Sequence, residues 1–227
     1  TGEGFPDLSE VGVELVPDVA PYERMKLRML NGCHSSIAYL GQLAGYEFVA
    51  DALDDPNLRR FLERMMAEEI APTLTEFSPQ RLTAYGAQLL RRFDNRAIRH
   101  RTWQIAMDGS QKLPQRLLGT IEDRLRNNAP VARVTLAIAA WMRFLGGKDD
   151  RGGSIVISDP RARELTGWAE GRQDDGAIAA NFVERSGIFS PDLQRSDGFR
   201  HELVAAIALL RRVGAREALM QPTYGGA

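Results

Sequence analysis

After Pro21 the sequence settles into helical spacing and stays close to it to the end, which confines the chain to a helical fold. "YERMKLRMLNGCHSSIAYLGQLAG" (22–45) is a long apolar-periodic segment, with Pro21 as starter and Gly45 as stop. "DPNLRRFLERMMAEEIAPTL" (55–74) repeats the design, with Leu58, Phe61, Leu62, Met65, Met66 and Ile70 along one side. "SPQRLTAYGAQLLRRF" (78–93) opens with Ser78 before Pro79, a strong N-cap pair. In "RHRTWQIAMDGSQKLPQRLLGTIEDRLRN" (99–127), Asp108-Gly109-Ser110 is a break, and a helix is expected from Ser110 or Gln111 with Pro114 in its first turn. "VARVTLAIAAWMRFLGG" (131–147) is apolar almost all round, as a buried central helix should be. "GFRHELVAAIALLRRVGAREAL" (198–219) predicts one or two closing amphipathic helices.

Two stretches depart from this pattern. Residues 148–200 are rich in Gly, Asp and Ser with short helical pieces such as "PRARELTGWAEG", and are expected to be the least regular part, a mobile flap or a surface packed on something absent. "VGVELVPDVA" (11–20) alternates and is broken by Pro17-Asp18, which predicts one short strand or an extended connector. The expectation is a mainly α chain of about eight or more helices: a connector over 1–21 and a helical domain over 22–227.

Composition removes several function classes. The formal net charge of -1 gives no nucleic-acid footprint, and the basic run "RRFDNRAIRHR" (91–101) reads as a solvated face, so no nucleic-acid partner is expected. Cys33 is the only cysteine, which rules out an intramolecular disulfide and fits a reducing, cytoplasmic setting. His34, His100 and His201 are far apart with no H-E-x-x-H, so no metal site is expected. The apolar run "VTLAIAAWM" (134–142) is about half a membrane span, and neither a membrane segment nor a signal peptide is expected. The opening threonine reads as a fragment or a processed product.

Within the first helical segment, Lys26, Asn31 and His34 stand in apolar company. On an ideal α-helix of about 100° and about 1.5 Å per residue, His34 lies about 80° and Asn31 about 140° from Lys26, the last two about 7.5 Å apart along the axis. Each has an ordinary structural explanation: a snorkelling lysine, a helix irregularity at Asn31-Gly32, a satisfied core histidine. Together they also make a proton-transfer site, because a partly desolvated lysine can act as base, an amide N–H can stabilise an oxyanion, and an imidazole can orient a hydroxyl.

"PYERMKLRMLNGCHSSIAYLG", with its K-x4-N-x2-H core, resembles the signature of the long-chain mannitol dehydrogenase and fructuronate reductase family. "VGVELVPDVAPYE", "EEIAPTL" (68–74) and "RHRTWQIAMDGSQKLPQR" (99–116) agree in order. The resemblance implies a multi-helical C-terminal domain like that of 6-phosphogluconate dehydrogenase. It also implies a hydride exchange between NAD, or NADP, and a polyol or aldonate and its keto sugar. Lys26 would be the general acid/base, Asn31 part of the oxyanion site, and His34 a hydrogen-bond partner of the substrate near the reacting carbon. Lys112 of D-G-S-x-K would contact the distal hydroxyls, and Gln104 stands where mannitol dehydrogenases carry an arginine.

The "HRTWQIAMDGSQKLPQR" form is closer to the fructuronate reductase branch, where a sugar-acid carboxylate needs a cationic partner. Arg99, His100, Arg101 and Arg116 are candidates, with His100 and Arg101 the first choice beside Lys112 and Gln104. The family's N-terminal Rossmann domain, the expected main holder of NAD and the expected partner of this domain, has no Gly-x-Gly-x-x-Gly counterpart here. No cofactor-binding residue is assigned, and the isolated chain is expected to lack dehydrogenase activity. Two non-catalytic alternatives stand beside this: a helical interaction module, and a domain that binds sugar acids without chemistry.

Overall fold

The computed structural model describes residues 11, 13–169 and 174–226. Among these, helices follow one another with no strand, and only isolated bridges, Phe48 to Arg101 and Lys148 to Ser154, interrupt them. The short strand expected within 11–20 does not form over 13–19, which is irregular and mostly exposed. No neighbouring strand is present to pair with it, so the alternating residues have no sheet face to cover. Glu14 instead accepts hydrogen bonds from Arg81 Nη2 at 2.6 Å and the Tyr22 hydroxyl at 2.9 Å.

α1 (Ala20–Met25) carries Pro21 in its first turn and runs through a π-helical turn, Lys26–Asn31, into α2 (Gly32–Ala44). Gly45, at φ 81°, ends this run. α3 (Val49–Leu53) and α4 (Pro56–Arg64) follow, the latter capped by the Asp55 side chain at Asn57 N–H (2.9 Å). α4 continues through a second π-turn, Met65–Ile70, and the Leu58, Phe61, Leu62, Met65, Met66 and Ile70 side is buried. α5 (Pro79–Phe93) is capped by Ser78, whose hydroxyl accepts from Arg81 N–H at 3.3 Å.

Segment 99–127 is broken more finely than its pattern suggested, into α6 (Thr102–Ala106), α7 (Gly109–Leu113), a third π-turn (Pro114–Leu118) and α8 (Gly119–Arg126). The helix starts at Gly109, and Pro114 lies not in its first turn but where α passes to π. Proline offers no N–H to the i-4 carbonyl and its ring crowds that carbonyl, so the local hydrogen-bond register slips.

α9 (Ala132–Phe144) is the buried central helix the sequence predicted, packed on α2 on one side. On its other side lies the long closing helix (Asp197–Leu219), which kinks at Gly214. Residues 148–200 are not a detached flap. They include α10 (Ala162–Ala169), α11 (Asp175–Arg185) and α12 (Pro191–Arg195), and Leu165, Ile178, Phe182, Val183 and Leu193 are buried in the common core. The closing helix is α13. The three π-turns meet: Lys26–Asn31 touches both Pro114–Leu118 and Met65–Ile70.

Candidate active site

The K-x4-N-x2-H residues span the first π-turn and the start of α2. Gly32 N–H donates to the Leu27 carbonyl, the i→i-5 bond that widens the turn. Asn31 is therefore swung back towards Lys26 relative to the about 140° of an ideal α-helix. Gly32 gives a close approach where the site is built. A Cβ there would lie 3.1 Å from the Arg116 carbonyl oxygen and 3.2 Å from Leu117 Cδ2, so a larger residue would push the third π-turn back by a few tenths of an ångström. Arg28 fixes the other side, its guanidinium 2.5 Å from the Asp123 carboxylate.

Lys26 is exposed, Asn31 half-buried, and His34 mostly buried, a descent from solvent into the domain. The partly desolvated setting expected of Lys26 is not formed by this domain's own residues. Among the described residues neither the Lys26 ammonium nor the Asn31 amide has a hydrogen-bond or ion-pair partner, so both are open to a ligand.

The His34 ring lies against Phe93, with centroids 4.6 Å apart, and edge-on to His100 at 5.5 Å. Burial holds its pKa down at about 3, helped by the positive fields of His100, Arg116 and Arg92. At neutral pH His34 is uncharged, able to donate from one ring nitrogen and accept at the other. His34 and His100 line a cavity of about 390 Å³ with Phe48, Phe93, Arg92 and Arg99. Lys26, Asn31, Lys112, Gln104 and Arg101 do not line it.

Lys112 stands on α7, half-buried, and its ammonium donates to the Met107 carbonyl at 2.6 Å, with Asp108 further off at 3.7 Å. Partial burial lowers its pKa first, the Arg116 charge second. Arg116, on the third π-turn, donates from Nη1 to Ser35 Oγ at 3.1 Å and thereby joins the D-G-S-x-K segment to the residue after His34. Asp159, unremarked in the sequence, binds Ser110 N–H at 2.8 Å and Ser110 Oγ at 2.7 Å, and so holds the turn that carries Lys112. Its Asp-Pro punctuation marks a turn, but nothing in the sequence links it to Ser110.

The other predicted substrate-binding residues stand differently. His100 is exposed at the mouth of the His34 cavity. Arg101 is exposed, paired with Glu47 at 3.1 Å and stacked over Phe48 at 5.5 Å. Gln104 is exposed on α6. Among the described residues no group of three or more His, Cys, Asp or Glu could hold a metal ion, and no helix is long and apolar enough to cross a membrane.

Fold and site define, among the described residues, a helical domain without strands whose half-buried cations and neutral imidazole gather where three π-turns meet. The chain belongs to the family described as mannitol dehydrogenase C-terminal domain, which matches residues 18–210. It is 44% identical over 214 residues to the D-mannonate oxidoreductase of Escherichia coli (strain K12), covering 94% of this chain and 44% of that protein. It is 35% identical over 216 residues to a mannitol 2-dehydrogenase of Pyrenophora tritici-repentis (strain Pt-1C-BFP), covering 94% of this chain and 37% of that protein. Its structure resembles Pseudomonas fluorescens mannitol 2-dehydrogenase in ternary complex with NAD and D-mannitol, with a TM-score of 0.87 at 33% identity over 95% of this chain and 43% of that one. The chain thus spans less than half the length of these relatives.

Proposed function

We propose that this chain is the substrate-binding and catalytic half of a cytoplasmic NAD- or NADP-dependent oxidoreductase. The reaction would interconvert a polyol or aldonate and its keto sugar, as mannitol with fructose or mannonate with fructuronate. The observation that carries this is the open Lys26 ammonium and Asn31 amide on one π-turn, with neutral His34 below them, in a family whose named members include oxidoreductases of such compounds. Residues 13–19, irregular and lying against Arg81 and Tyr22, are read as the connector from a preceding nucleotide-binding domain. That domain would also cover Lys26 and desolvate it.

The nicotinamide, which would supply or accept the hydride when bound, is assigned mainly to that other domain. In the oxidation direction Lys26, as the neutral amine, takes the hydroxyl proton at Nζ and becomes the ammonium, which returns that proton in the reverse direction. The Asn31 amide donates to the oxygen on which charge develops, which is electrostatic stabilisation aimed at the transition state. His34 donates to or accepts from a neighbouring substrate hydroxyl, and the Lys112 ammonium, steadied by Met107, fixes the far end of the carbon chain. Lys26→Ala in the full-length protein should lower kcat by about 10²–10⁴-fold, followed by NADH absorbance with mannonate and mannitol. A variant that keeps near-normal kcat across pH removes Lys26 from this role.

A further inference from the structure

Among the arginines around the site, most have visible partners. Arg28 is paired with Asp123, Arg96 with Asp51 and Asp54, and Arg101 with Glu47, while Arg99 lies over the Phe48 ring at 4.8 Å. The more deeply buried Arg133 has two carboxylates, Glu68 at 2.8 Å and Glu69 at 3.3 Å. Arg116 differs from all of these. It is half-buried, its one side-chain hydrogen bond goes to the neutral Ser35 hydroxyl, and no carboxylate stands within ion-pair distance among the described residues. Its other guanidinium nitrogens meet no protein acceptor among the described residues and are not sealed from solvent, so a partly desolvated cation stands ready to take an anion from outside.

The position of Arg116 says which anion. It is four residues beyond Lys112 along a helical segment, so the two side chains rise from one face. Its partner Ser35 adjoins His34, and its backbone presses on Gly32, next to Asn31. Its charge is felt at both His34 and Lys112, which places it between the inner and outer parts of the site. We propose that Arg116 receives the carboxylate of a sugar-acid substrate, in a planar two-bond grip that Lys112 supplements, and so sets the enzyme for aldonates over uncharged polyols. The fork of a guanidinium matches a carboxylate and gains nothing comparable from a terminal CH₂OH. This rests on the dehydrogenase function proposed above.

The test uses the full-length protein with D-mannonate and D-mannitol, following NADH or NADPH absorbance. The wild type should prefer mannonate. Arg116→Gln should raise the KM for mannonate by about ten- to a hundredfold with kcat within about threefold, and should raise the KM for mannitol by several-fold less than that. Arg116→Lys, which keeps the charge and loses the fork, should fall between. It carries the test alone if Arg116→Gln does not fold, as judged by circular dichroism. Equal losses on both substrates, an unchanged KM for mannonate, or a fall confined to kcat overturns the inference. Where the wild type turns over only mannonate, the rise in KM against a held kcat remains the deciding result. Turnover of mannitol without mannonate overturns the inference and leaves the dehydrogenase function standing. Turnover of neither overturns both.

Discussion

His34 has its imidazole between the Phe93 ring and the edge of His100, with Arg92 and Arg116 adding positive charge nearby. Burial is the main reason its pKa falls from 6.5 to about 3, and the cations push the same way. Below pH 6.5 the unfolded chain takes up a proton at this residue that the folded chain refuses until about pH 3. The stability tied to neutral His34 is therefore complete above the unfolded value and is lost progressively as pH falls through this window. Thermal midpoints measured from pH 7 to pH 4 should fall more steeply for the wild type than for His34→Gln, by at most about 2–4 °C per pH unit. Parallel slopes would show that His34 is free to protonate in the folded state. That Lys26, Asn31 and His34 share one helical run was legible from the chain alone, but α-helical spacing misdirects Asn31 because the π-turn between them leaves no mark in the sequence. Which arginine lacks a carboxylate was not legible, because Asp123 opposite Arg28 and Glu47 opposite Arg101 become neighbours only through packing.

At the scale of elements, the boundaries of the helices over 20–44, 56–64 and 79–93 follow from Pro21, Gly45, Asp55 and Ser78, all local signals. The π-turns do not announce themselves, since a one-residue slip in hydrogen bonding leaves the apolar spacing of Met29, Leu30 and Ile37 readable as α-helix. Nor does the cap of α9. Val131 gives it none, and the N-terminal donors of the helix are met instead by Glu69, from the second π-turn. Its carboxylate accepts from Arg133 N–H and Val134 N–H, each at 2.9 Å, and from Arg133 Nη1 at 3.3 Å. The pair is deeply buried, at 1% exposure for Glu69 and 6% for Arg133; without Glu69 the two helix N–H groups lose their acceptor, while Arg133 keeps Glu68 at 2.8 Å. Burial raises the Glu69 pKa, while the two backbone N–H groups and Arg133 pull against it. Glu69→Ala should cost about 2–3 kcal/mol in urea unfolding, and Glu69→Gln less, because its amide oxygen still accepts. A loss under about 1 kcal/mol for Glu69→Ala would mean that the N-terminus of α9 is capped in another way.

In the whole molecule, α2, α9 and α13 form the centre, and the site lies where segments distant in sequence close over one end of α2. The residues beyond 148 complete that closure. Trp168 and Phe182 meet edge-to-face with ring centroids 5.7 Å apart, and Phe182 meets Trp141 of α9 the same way at 5.5 Å. Pattern recognition missed this part because its helices are short and separated by Gly, Asp and Ser, while each apolar contact is made across elements. Its functional link is Asp159. Besides Ser110 N–H and Oγ, its carboxylate accepts from Arg161 N–H at 2.9 Å, and Asp108 N–H donates to the Ser158 carbonyl at 2.9 Å. The turn that aims Lys112 is thus clamped by a loop about fifty residues later in the chain. Asp159→Ala removes both bonds to Ser110 and should destabilise the fold by about 2–4 kcal/mol, lowering the thermal midpoint by several degrees. In the full-length protein it should also raise the substrate KM more than it lowers kcat, because in the proposed function Lys112 would grip the far end of the substrate and Lys26 would perform the proton transfer. A variant with wild-type midpoint and wild-type KM would show that the D-G-S turn holds its shape without the later loop.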